Sequence, residues 1–258
     1  MSTTFDIFLA CSPKDSNKLK YVLESIANNI SGFNNIIICS PIELNHEHFS
    51  SLPVIYYLDK DGLPGVDRSK WMFRPNWCFQ QHLKLFQKLT SDWYLTLDCD
   101  TIINRKLNFF ENEKPIYYYG ADQFHVPYFT FMKEMLNLSR VGGKSYIADM
   151  NFIYRPIIED LLKNNDFDRG TFIQKSQQIT EKNCHIGEPE IYGNYCFKNY
   201  SGFYVERELK QAPLQGKMQN QMEILNWNKN EIEKIIRGMK NYDFDTFSIH
   251  SWLDEGDQ

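Results

Sequence analysis

The sequence predicts an α/β protein built on a mixed, mainly parallel sheet flanked by helices. Three observations predict it. Short apolar runs alternate with stretches of helical periodicity through the first hundred residues. Clusters of polar residues follow the ends of several apolar runs, where ligands of such sheets gather. No Gly/Ser/Pro-rich linker and no internal repeat divides the 258 residues, so they read as one domain with a sizeable core.

Phe5 to Cys11 is a short apolar strand closed by the turn formers Ser12-Pro13-Lys14-Asp15. Leu19, Val22, Leu23 and Ile26 recur at i, i+3, i+4 and i+7, a helical stripe that ends between Asn29 and Gly32. Ile36 to Cys39 is a second strand. Val54 to Leu58 is a third, stopped by Asp59-Lys60-Asp61-Gly62. A helix carrying Trp77, Gln80, Gln81, Leu83, Lys84 and Phe86 precedes a fourth strand, Trp93 to Leu97, which runs into Asp98. Beyond residue 110 the alternation loosens. Ile116 to Tyr119 and Asp149 to Tyr154 read as strands, Tyr128 to Leu138 and the segment from Glu188 to Cys196 as helices. Ile224 to Met239 is an amphipathic helix. Residues 1–110 therefore read as a regularly alternating α/β half of one domain, and residues 111–258 as an elaborated second half with a C-terminal helix and tail.

Composition excludes several classes. The net charge of -5 and the absence of any basic stripe speak against nucleic acid as a partner. No apolar stretch approaches the roughly 18 residues of a membrane span. The N-terminus lacks the features of a signal peptide, so a soluble, cytoplasmic protein is expected. The six cysteines form no Cys-x-x-Cys pair, and several sit in apolar runs, which predicts buried free thiols.

Asp98-Cys99-Asp100 carries the strongest chemical signal. In an extended chain, residues two apart point to one side, about 6.6 Å apart by strand rise. Two carboxylates so placed behind an apolar strand repel each other and resist desolvation unless a cation sits between them. The plain alternative is that both acids cap a helix or meet solvent in a turn.

The run from Ser91 to Thr101 resembles the D-x-D segment of GT-A glycosyltransferases. Trp77-Cys78-Phe79-Gln80-Gln81-His82-Leu83-Lys84-Leu85 and Glu188-Pro189-Glu190-Ile191-Tyr192-Gly193-Asn194-Tyr195 resemble elements of a group of poorly characterised bacterial and viral glycosyltransferase-like proteins. The resemblance implies a GT-A fold, a nucleotide-sugar donor with uridine as its nucleoside, and a glycan or other hydroxyl acceptor. It also implies that Asp98 and Asp100 hold Mn²⁺ or Mg²⁺, with Asp98 touching the donor as well. Many GT-A enzymes complete that shell with a C-terminal histidine, a role that would fall to His250; a structural histidine is the alternative.

Under that resemblance the turn with Cys11, Ser12 and Asp15 would seat base and ribose, although an ordinary helix cap suits it equally. Asp59 could accept a hydrogen bond from uracil or ribose, or simply form a turn. Gln80, Gln81 and Lys84 share a helix face, from which Lys84 would offset diphosphate charge. Arg68, Lys70 and Arg74 are further phosphate candidates. An inverting transfer needs a carboxylate base, for which Glu190 and then Glu188 are the candidates. Acids in a first helical turn are favoured regardless. Asp122, Asp149, Asn151 and Tyr192 are the residues expected at the acceptor.

Two other readings are open. A phosphohydrolase of the haloacid-dehalogenase kind also begins with an aspartate pair after a strand, but it wants Thr where Ile102 stands and a later Gly-Asp-x-x-x-Asp. A GT-A scaffold without turnover would bind sugar and transfer nothing.

Overall fold

The computed structural model describes residues 4–44, 52–120, 123–179, 185–213 and 229–249. Its centre is a five-stranded sheet of β1 (Phe5–Ala10), β2 (Phe33–Ser40), β3 (Val54–Leu58), β4 (Trp93–Asp98) and β8 (Met150–Tyr154), in the order β3-β2-β1-β4-β8. The first four strands are parallel, and β8 pairs antiparallel with β4, Thr96 opposite Asn151. Phe5 to Ala10 is buried throughout and so is Ile36 to Ser40, as strands covered on both faces require.

Helices cover the sheet. They are α1 (Ser16–Asn29), α3 (Pro75–Phe86), α4 (Val126–Leu136), α5 (Arg155–Lys163), α6 (Arg169–Ser176), α7 (Glu188–Asn199) and α8 (Lys229–Met239), with a single turn, α2 (Asp59–Gly62), at the end of β3. The apolar stripe of α1, Leu19, Val22, Leu23 and Ile26, is buried as its spacing predicts. Helix α3 packs against β1 and α7.

Two small sheets lie beside the main one among the described residues. One orders β10 (Gln211–Pro213), β11 (Thr246–Ser248) and β5 (Thr101–Ile103). The other orders β6 (Phe110–Glu111), β7 (Lys114–Tyr119) and β9 (Val205–Glu208). Trp93 ties the second half of the chain to the main sheet: its ring stacks on Tyr154, Phe152 and Phe203 at 4.4, 5.2 and 5.9 Å.

The five cysteines among the described residues are buried and free. No helix among those residues is long and apolar enough to cross a membrane. The sheet contains one departure from the parallel alternation of the first hundred residues, the antiparallel β8. A strand entering from the second half of the chain needs no crossover to lie beside β4 in that sense.

Candidate active site

The strand order reverses between β1 and β4, and in open α/β sheets such a reversal opens a crevice at the carboxyl ends of the strands. A cavity of about 710 Å³ occupies that position. Cys11 to Asp15 line it from the end of β1, Cys39 and Pro41 from the end of β2, and Asp59 from the end of β3. Asp98, Cys99 and Asp100 line it from the end of β4. The three polar clusters that follow the strands in sequence thus meet in one place.

The D-x-D element is not extended. Strand β4 ends at Asp98, Cys99 and Asp100 form a turn, and β5 begins at Thr101. The two acids also differ in environment. The side chain of Asp98 keeps 36% of its surface, whereas Asp100 is buried at 8%. Asp98 already has a protein cation: Lys84 Nζ lies 2.7 Å from its Oδ1, and Gln80 Nε2 donates to the same oxygen at 3.1 Å.

Lys84 therefore does not face the cavity as its helix position suggested. It is buried beneath the cavity wall, with Glu188 Oε1 3.5 Å from its nitrogen. Burial pulls the Lys84 ammonium down, but Asp98 and Glu188 outweigh it and hold the group above the usual lysine range. Burial pushes the Glu188 carboxyl up to about 7, against the pull of Lys84. Gln81 lines the cavity and accepts the Glu188 backbone N–H at 3.2 Å, linking α3 to the first turn of α7.

Glu188 and Glu190 both lie off the cavity wall, contrary to a base role read from sequence. Glu190 is fully buried. Its carboxylate accepts from Ser145 Oγ and Tyr146 N–H at 3.0 Å each and from Asn194 Nδ2 at 2.7 Å. It fastens the 145–146 segment to α7. Burial raises its carboxyl above the usual range in spite of those donors.

Tyr192, expected at the acceptor, is likewise a buried core residue that does not line the cavity. Its hydroxyl accepts the Tyr154 N–H at 2.9 Å and pairs with the Tyr204 hydroxyl at 2.6 Å. Asn151 does not line the cavity; it is buried in β8 beside β4, where its side-chain amide has no hydrogen-bond partner among the described residues. Asp149 does line the cavity, with Oδ2 accepting from Thr246 Oγ1 at 2.8 Å. Asp122 and His250 lie outside the described residues.

At the far end of the cavity Asp59 and Arg68 form an ion pair of 2.6 Å, and the guanidinium lies 4.4 Å over the ring of Phe79. Arg74 also lines the cavity, in a left-handed conformation (φ 45°) directly before Pro75. A non-glycine residue before proline rarely takes that shape. Its guanidinium is 5.5 Å from the Trp77 ring, which stacks on Tyr128 at 6.0 Å. Tyr128 and Gln211 are cavity residues that no sequence signal marked, since each arrives from an element distant in the chain.

No family model matches the chain, and no curated protein matches it in sequence. Solved structures do. The bifunctional glycosyltransferase WbbM aligns with a TM-score of 0.51 and 9% identity, over 96% of this chain and 46% of its own. The fold is GT-A-like. GlyE of Streptococcus pneumoniae TIGR4 aligns with a TM-score of 0.47 and 13% identity, over 97% of this chain and 55% of its own. The galactosyltransferase LgtC, solved with donor and acceptor sugar analogues, aligns with a TM-score of 0.45 and 11% identity, over 94% and 86%. This chain spans about half the length of WbbM and GlyE. At such identities the likeness is one of fold, and the resemblance to the bacterial and viral group rests on the motifs alone.

Proposed function

We propose that this chain is a divalent-cation-dependent glycosyltransferase that moves a sugar from a nucleotide-sugar to a hydroxyl of a glycan or similar acceptor. One observation carries the reading: Asp98 and Asp100 share the wall of one cavity at the topological switch point of a GT-A-like sheet. From β4 across β1 and β2 to β3 is three strand spacings, roughly 14 Å. A nucleoside diphosphate fits that span with its phosphates at the D-x-D turn and its base near Asp59 and Arg68. Uridine is the nucleoside that the resemblance implies.

The donor set suits Mn²⁺ or Mg²⁺, since both cations take carboxylate oxygens. Both partners of Asp98 bind Oδ1, and Oδ2 has none among the described residues, so the group keeps acceptor capacity. Asp98, Asp100 and, as a third ligand, His250 would hold the cation, which would offset the charge of a diphosphate leaving group. Gln80 and Lys84 hold the Asp98 carboxylate in place. Asp149, Tyr128 and Gln211 would meet the acceptor on the side contributed by the second half of the chain.

The position of both glutamates off the cavity wall favours one second reading, a sugar-nucleotide-binding scaffold without turnover. Transfer to a panel of acceptors separates the two, because a scaffold binds donor and forms no product. The primary test is calorimetry with UDP. Binding should require Mn²⁺ or Mg²⁺ and vanish with EDTA; equal affinity with and without the cation would sink the D-x-D assignment.

A further inference from the structure

We propose that Lys18, on α1, is a positioning residue for the cation site, acting on Asp100 through the C-terminal strand. The inference rests on the reading of Asp98 and Asp100 just given. Lys18 is buried at 6% exposure. Its Nζ donates to the carbonyl of Ile249 at 2.7 Å and to Asp15 Oδ1 at 2.9 Å. Ile249 in turn donates its N–H to the carbonyl of Asp100 at 2.9 Å. The residue that follows β11 is thus gripped on both sides, by the D-x-D turn at its amide and by the Lys18 ammonium at its carbonyl.

Register explains why this matters for Asp100. Strand β11 pairs antiparallel with β5, and the last pair is Ser248 with Thr101, whose hydroxyls lie 2.9 Å apart. The Ile249–Asp100 bond extends that ladder one residue into the turn. Cys99 and Asp100 form the whole connection between β4 and β5, so the direction of the Asp100 carboxylate depends on where that peptide is held. Lys18 fixes the strand that holds it.

A buried ammonium is costly unless it is paired, and an apolar side chain of similar length would fill the space more cheaply. What the ammonium adds is a joint between three segments. Asp15 is itself a cavity residue, so Lys18 ties the loop after β1, the end of β11 and the D-x-D turn into one unit. Groups that orient the ligands of a metal contribute tenfold to hundredfold to its affinity in other proteins.

The test uses the full chain with Lys18→Met and Lys18→Arg. Calorimetry with UDP at varied Mn²⁺ should show cation affinity falling about tenfold to hundredfold in Lys18→Met. Lys18→Arg, which keeps charge and donors, should recover most of it. Hydrogen exchange should speed up selectively in the peptide containing Ile249, with the amides of β1 and β2 unchanged. Should Lys18→Met fail to fold, Lys18→Gln, which removes the charge and shortens the reach to the Ile249 carbonyl by one atom, should show the same loss of affinity in smaller measure. A wild-type chain that needs Mn²⁺, beside a Lys18→Met variant of unchanged affinity, overturns the positioning role alone. A wild-type chain that binds UDP equally without cation overturns the reading of the site, and the positioning role with it.

Discussion

Lys84 Nζ lies 2.7 Å from Asp98 Oδ1 and 3.5 Å from Glu188 Oε1, one buried ammonium between two carboxylates from different elements. Asp98 ends β4 and Glu188 opens α7, so the lysine of α3 joins the D-x-D turn to the second half of the chain. The repulsion expected between Asp98 and Asp100 is therefore met in part by the protein itself, before any cation binds.

Asp98→Asn removes a partner of Lys84 as well as a carboxylate of the cavity. Because Asp98 keeps 36% of its side-chain surface, solvent screens the pair, and the loss of stability should be only about 1 kcal/mol. Cation-dependent UDP affinity should fall by tenfold or more. Calorimetry and thermal denaturation check the two together. A variant that unfolds outright would make Asp98 a structural residue.

Lys84→Met leaves the Glu188 carboxyl buried with no cation beside it. Removing one member of a buried ion pair costs about 3 kcal/mol or more where the other stays charged. The comparison is therefore made well above pH 7, where Glu188 is ionised in the wild type. Denaturant titration should show that loss, a larger effect than in Asp98→Asn. If the two variants lose equal stability, Glu188 contributes nothing to the cost.

Glu188 gives a pH signature. Its carboxyl is raised from 4.5 to about 7, so the folded chain holds a proton that the unfolded chain has released. Its contribution to stability is full below about pH 4.5 and is lost as pH rises through 7. His82, which burial pushes down to about 4, acts in the opposite sense over part of that window. The measurement is therefore a difference: wild type minus Glu188→Gln should lose stability between pH 4.5 and 7. A flat difference contradicts the assignment.

Tyr192→Phe should cost about 1–3 kcal/mol, since the Tyr154 N–H and the Tyr204 hydroxyl lose a buried partner. Affinity for UDP and Mn²⁺ should stay within twofold of wild type. A selective loss of donor or acceptor binding with unchanged stability would return Tyr192 to the site.

Local chemistry by itself determined a good part of this protein. The apolar runs from Phe5, Ile36, Val54 and Trp93 fold as the strands they spell, because each carries its burial pattern within a few residues. The polar clusters behind them line the cavity, because chain direction in a parallel sheet sends every strand end to one side. Only the tertiary structure decided what those side chains face. The same polar helix face carries Gln81, which reaches the cavity, and Lys84, which turns beneath it to an acid 104 positions later in the chain. Glu190 resembles a base in sequence, yet Ser145, Tyr146 and Asn194 claim its oxygens. Besides Asp15 close by in sequence, Lys18 meets a backbone carbonyl 231 residues away, and every residue supplies the same carbonyl. Periodicity records which face of an element is buried; the charge or hydrogen bond that a buried polar group finds there belongs to whatever distant segment packs against it.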